Sequence, residues 1–151
     1  MATILVMDDE PNFRSLIFNL FSSDHVVLET DDEQEGLVMT GICRPDLIIT
    51  NRDLPSITNF DLIKSLRTAS KRVKILATSS SLYRSDLYHS EEFAEMLRAG
   101  ADCCLRKTVD IPTLVETVEN LLSEEEEHRT SQVWQITSDV EQRLGKPIFV
   151  W

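Results

Sequence analysis

Five short strand-like segments alternate with five stretches whose apolar residues recur at helical spacing, and this alternation decides what the chain can fold into. The segments are Ile4–Met7, Val26–Leu28, Leu47–Ile49, Val73–Thr78 and Ala101–Arg106. Between them, Pro11 opens a first helix carrying Phe13, Leu16, Ile17, Leu20 and Phe21. A second runs from Glu33 to Ile42, weakened by Gly36 and Gly41, and a third from Asn59 to Ala69. A fourth is expected from about Glu91 to Arg98, ending at Gly100, and Pro112 opens the last, with Leu114, Val115, Val118, Leu121 and Leu122 facing inward. Strand and helix alternating in this way predict an α/β fold, a doubly wound five-stranded parallel sheet flanked by helices with right-handed crossovers.

The middle of that sheet is Asp46-Leu47-Ile48-Ile49-Thr50-Asn51-Arg52-Asp53-Leu54-Pro55. An unbroken apolar run reads as a strand covered on both faces, and the proline stops it. Ligands of open α/β sheets bind at the carboxyl ends of the strands. Four strands deliver polar residues to that edge: Asp8 and Asp9 from the first, Asn51 from the third, Thr78 from the fourth and Lys107 from the fifth. Paired carboxylates suit a hard divalent ion such as Mg2+, and a hydroxyl opposite an ammonium suits a phosphoryl group. Each residue also has an ordinary reading as a helix cap, strand residue or surface charge. Their joint arrival at one edge favours a pocket.

A formal charge of −11 over 151 residues disfavours direct nucleic-acid binding and anionic membrane surfaces, so proteins are the expected partners. Cys43, Cys103 and Cys104 form no paired framework, and the start of the chain lacks the regions of a signal peptide. With no apolar run of membrane-spanning length, the expectation is a soluble, cytoplasmic protein. The domain is expected to cover residues 1–122. Residues 123–151 read as an acidic linker, Glu124 to Glu127, and an amphipathic C-terminal helical tail. In the tail Val133, Ile136, Val140 and Leu144 share a helical spacing with Trp134 nearby, and the segment ends in Ile148, Phe149, Val150 and Trp151.

Four motifs together resemble the receiver domain of two-component response regulators: Ile4-Leu5-Val6-Met7-Asp8-Asp9-Glu10-Pro11, Pro45 to Pro55, the strand ending in Thr78, and Gly100-Ala101-Asp102-Cys103-Cys104-Leu105-Arg106-Lys107. The resemblance implies a CheY-like, flavodoxin-like fold over Ala2 to about Leu122. It implies that Asp8, Asp9 and the backbone carbonyl of Asp53 are the ligands of Mg2+, and that Thr78 and Lys107 hold phosphoryl oxygens. The acceptor aspartate, phosphorylated by a histidine kinase in that family, falls on Asn51. The family's switch aromatic falls on Cys104, which has no ring to swing. A segment between Thr78 and Gly100 longer than the family's brings Tyr83, Tyr88 and His89 beside the pocket or over the fourth helix.

A carboxylate is an anionic nucleophile, whereas the amide of Asn51 is neutral, so acyl phosphate formation at this position fails. Loss of a third carboxylate also weakens Mg2+ binding. The first reading is therefore a non-enzymatic pseudo-receiver that acts as a phosphorylation-independent interaction module. Its partners would be a histidine kinase or another signalling protein, or a second copy docking through the fourth helix, fifth strand and fifth helix or through the tail. A second reading is a phosphorelay receiver using Asp53 or Asp8. A third, from another class, is a phosphatase-like hydrolase with Asp8 as nucleophile.

Overall fold

A computed structural model describes the backbone of residues 1–51, 59–79 and 86–145, and within these the side chains of all but 59–60, 86–90 and 125–140. The elements are β1 (Thr3–Met7), α1 (Pro11–Phe21), β2 (Val26–Thr30), α2 (Glu33–Cys43), β3 (Leu47–Asn51), α3 (Asn59–Ala69), β4 (Lys74–Ser79), α4 (Asp86–Ala99), β5 (Cys103–Arg106) and α5 (Ile111–Leu144). All strand pairs are parallel and the sheet order is β2-β1-β3-β4-β5. The order reverses between β1 and β3, the switch point where such sheets open a crevice.

Alternation along the strands sorts the core into two layers. Ile4, Val6, Leu47, Ile49 and Leu76 face α1 and α5, meeting Phe13, Ile17, Phe21, Leu114 and Val118. Leu5, Met7, Ile48, Ile75 and Ala77 face the other side, where Leu62, Ile63, Leu66 and Met96 of α3 and α4 cover them. Gly36 is where α2 comes down on β1: a Cβ there would overlap the Met7 thioether. The residue that weakens the helix by propensity is thus the one that lets it pack.

Two aspartates fasten the lower edge of the sheet in the same way. Thr3 donates its N–H to Asp46 Oδ2 at 2.8 Å while the Asp46 N–H donates to the Thr3 carbonyl at 2.8 Å. Ile75 donates to Asp102 Oδ2 at 2.9 Å and receives the Asp102 N–H at 2.8 Å. Each side chain occupies a backbone donor that would otherwise be left at a strand start.

Two helix boundaries differ from the sequence expectation. α4 begins at Asp86, about a turn before Glu91, so the polar stretch after β4 is partly helical and Tyr88 and His89 belong to the α4 backbone. Tyr83 lies outside the described residues. α5 does not end near Leu122 but continues as one helix through the Glu124–Glu127 run to Leu144, where Gly145 at φ 66° caps it. No glycine or proline stands between Pro112 and Gly145, and glutamate, glutamine and arginine are good helix formers. The acidic run changes the helix's surroundings without breaking its backbone. Among its described side chains the last in the core layer is Leu122, and Lys74 at the start of β4 meets Glu124 at 3.3 Å. No helix among the described residues is long and apolar enough to cross a membrane.

Candidate functional site

Strand parity gathers the pocket. Ile4, Val6 and Asp8 alternate along β1 and its extension, Leu47, Ile49 and Asn51 along β3, Leu76 and Thr78 along β4, Cys103, Leu105 and Lys107 along β5 and past its end. The four polar residues therefore share one side of the sheet, and all come at its carboxyl edge. Asn51 pairs with Thr78 in register, and the Lys107 N–H donates to the Ser79 carbonyl at 2.9 Å, which fixes the fifth strand's end beside the fourth.

Asp8 is fully buried, Asn51 and Thr78 nearly so, and Asp9 is exposed. The Lys107 ammonium straddles the Asp8 carboxylate, 3.0 Å from Oδ1 and 2.8 Å from Oδ2, and lies 3.0 Å from Glu10 Oε1. It also rides 4.7 Å above the Phe13 ring, a cation–π arrangement. Burial pushes the Asp8 carboxyl above its ordinary range, an effect opposed by its hydrogen bonds to Lys107 and the Glu10 N–H. Arg14 donates to the Asp8 carbonyl at 2.7 Å and pins the turn from the helix side. Asn51 donates its side-chain N–H to Asp9 Oδ1 at 3.0 Å. The Thr78 hydroxyl donates to the Thr50 carbonyl at 3.3 Å, so it is turned onto the β3 backbone.

The structure thus brings Asp8, Asp9, Asn51, Thr78 and Lys107 together as expected from the sequence. Asp53 lies outside the described residues. Cys104 is on the opposite face of β5, packed in the layer under α4, with its thiol 3.8 Å from the Phe93 carbonyl and pushed up to about 12 by burial. Sequence reasoning did not single out Glu10, Phe13 or Arg14 as parts of the pocket. The acid following the Asp8-Asp9 pair was the available signal for Glu10. Phe13 and Arg14 are one turn into α1, and only packing shows that they face the pocket.

The donors do not fit a resident divalent ion as they stand. Both Asp8 oxygens are within 3.0 Å of the Lys107 ammonium, and Asp9 Oδ1 is taken by the Asn51 amide. Asp8 Oδ2 has no hydrogen bond in line, but the ammonium stands against it. No group of three acidic, histidine or cysteine side chains that could hold a metal occurs among the described residues.

Comparison with known proteins agrees with this geometry. Residues 4–119 match the response regulator receiver domain family. The chain is 29% identical over 125 residues to the Fimbriae Z protein of Salmonella typhimurium, covering 81% of this chain and 57% of that protein. It is 28% identical over 120 residues to the nitrate/nitrite response regulator protein NarL of Escherichia coli, covering 78% and 53%. It thus spans about half the length of these curated relatives. The crystal structure of the chemotaxis protein CheY4 of Vibrio cholerae superposes with a TM-score of 0.68 at 27% identity, over 80% of this chain and 98% of that one. With the crevice, the acid turn, the strand-end threonine and the lysine in place, the chain belongs to the response regulator receiver domain family of two-component signalling.

Proposed function

We propose that this receiver domain works as a protein-interaction module whose output does not depend on phosphorylation of its own pocket. The observation that carries this reading is Asn51: the acceptor position presents an amide, and that amide donates to Asp9. A phosphoryl acceptor has to offer an anionic oxygen in line with phosphorus, which a neutral amide engaged as a donor does not. Asp8 is a poor substitute, since its carboxylate is buried and covered by Lys107. Mg2+ binding is weakened for want of a third carboxylate.

A net charge of −11 favours protein partners over nucleic acid. The partner is a signalling protein, a histidine kinase among the candidates, or a second copy of the chain. Two surfaces are available for docking. One is the α4–β5–α5 face, where Leu97 and Ile111 are about half exposed. The other is the extension of α5, whose Leu144 is 54% exposed. On this reading the domain acts by binding and not by catalysis.

The test is intact mass after incubation with acetyl phosphate and Mg2+, for the native protein and for Asn51→Asp. The reading expects no phosphoryl mass on the native protein. A hydroxylamine-labile adduct on the native protein would instead place the acceptor at another aspartate, Asp53 or Asp8, and make this a working phosphorelay receiver.

A further inference from the structure

We infer that Lys107 is the resident cation of this pocket, holding the acid turn after β1 against the end of β5 and competing with any divalent ion for the same oxygens. The inference rests on the reading of the pocket as a receiver site with Asn51 at the acceptor position. It adds a residue, Glu10, and a second cause of weak metal binding that is independent of the missing carboxylate.

One ammonium carries three donors and can satisfy three acceptors at once. Lys107 Nζ is within 3.0 Å of three carboxylate oxygens, two on Asp8 and one on Glu10. Its side chain is 8% exposed and lies over Phe13, and its backbone N–H is fixed on Ser79. The lysine is therefore seated by packing, by a ring face and by backbone as well as by charge, and it does not leave freely. Mg2+ needs oxygen ligands at about 2.0–2.1 Å in near-octahedral array. An ion at that distance from either Asp8 oxygen would stand against the ammonium, like charge to like charge in a site of low solvent access. Binding the ion thus requires Lys107 to move off Asp8, and Asn51 to release Asp9 Oδ1.

Two accounts of weak cation binding then make different forecasts. If only the missing third carboxylate matters, the identity of residue 107 is indifferent. If Lys107 competes, removing its charge frees Asp8 and Glu10 together. The experiment measures Mn2+ binding by electron paramagnetic resonance, with Mg2+ as competitor, on native protein, Lys107→Met and Lys107→Arg. We expect Lys107→Met to bind Mn2+ about tenfold more tightly than native, or better. Lys107→Arg should stay near native. Equal affinity in native and Lys107→Met overturns the inference.

Should Lys107→Met fail to fold, a Mg2+ titration of native protein followed by NMR at the Lys107 side-chain ammonium decides the matter. Competition requires that resonance to move with the same half-saturation as the Asp8 and Asp9 amides. Occupancy that leaves it unmoved overturns the proposal. A phosphoryl adduct on native protein would defeat the functional reading above without changing the order of these cation affinities, so the two failures are distinguishable.

Discussion

The side-chain amide of Asn51 donates to Asp9 Oδ1 at 3.0 Å, so the carboxyl end of β3 meets the acid turn of β1 as a hydrogen-bond donor. Asn51→Asp replaces that donor with an acceptor-only carboxylate beside Asp8 and Asp9. We expect a loss of about 2 kcal/mol in stability in the presence of chelator, from the lost hydrogen bond and the added repulsion. Excess Mg2+ should recover part of it. Urea unfolding with and without Mg2+ measures both, and a variant as stable as native in chelator would contradict the assigned donor role.

Arg67 closes the base of α3 against two connections, the one leading into β4 and the one leading into β5. Its guanidinium donates to the Gly100 carbonyl through Nε and Nη2 at 3.2 and 2.8 Å, to the Val73 carbonyl at 2.7 Å and to the Lys71 carbonyl at 3.1 Å, and pairs with Asp102 at 2.9 Å. Gly100 is at φ +126°, and an added Cβ there would also crowd the Arg67 stem. Arg67→Met should cost about 3 kcal/mol by leaving several carbonyls without a donor. Arg67→Lys should recover little, since a single ammonium lacks the planar fork. Chemical denaturation of the two variants checks the order.

The two glycines of α2 should respond in opposite directions. Gly36→Ala forces a methyl into the Met7 side chain and should cost about 1–3 kcal/mol. Nothing lies within 4 Å of a Cβ at Gly41, so Gly41→Ala should stabilise by about 0.5–1 kcal/mol through helix propensity. Thermal midpoints of both single variants test the pair, and a Gly36→Ala protein as stable as native would mean that the Met7 thioether swings aside at no net cost.

The three thiols should separate by environment. Cys43 is exposed, whereas burial raises Cys103 above its ordinary range and pushes Cys104 up to about 12. Thiolate is the reactive form, so the latter two stay protonated in mildly alkaline buffer. Iodoacetamide should label Cys43 on the folded protein, and Cys103 and Cys104 only after unfolding. Peptide mass spectrometry reads the sites directly.

Asp110 caps α5, accepting the Thr113 N–H at 2.7 Å, and its hydrogen bonds with Thr113 hold its carboxyl below the ordinary 3.8. A carboxyl that is more acidic in the folded state stabilises above its unfolded value, and that contribution fades as pH falls through the lowered folded value. Asp110→Ala should therefore lower the thermal midpoint at neutral pH, with a deficit that shrinks below pH 3.8. A deficit independent of pH would assign the effect to something other than the ionised cap.

Much of the architecture was legible in the residues themselves. The run Leu47-Ile48-Ile49 and its polar successors located β3, and the apolar spacing in Asn59–Ala69 marked α3, because burial on one face or two imposes those periods directly. Propensity alone was a poorer guide to Gly36, whose value lies in the space above Met7 rather than in its own backbone. The start of α4 was misplaced because Asp86 to Ser90 lacks apolar residues at a regular helical spacing, and the end of α5 because a charge run looks the same in a linker and on a solvated helix.

What the sequence by itself determined was the alternation of elements, the parity that sends Asp8, Asn51, Thr78 and Lys107 to one edge, and the amide at the acceptor position. These are one-dimensional facts: a strand's two-residue repeat and a residue's functional group are fixed by the order of the letters. Only the tertiary structure decided how the charges are shared. That Lys107 lies between Asp8 and Glu10, that Asn51 donates to Asp9 and that Thr78 turns onto β3 depend on side-chain directions and distances between segments as much as 99 residues apart. Electrostatic pairing falls off with distance and rises with burial, and neither quantity exists until the chain has folded.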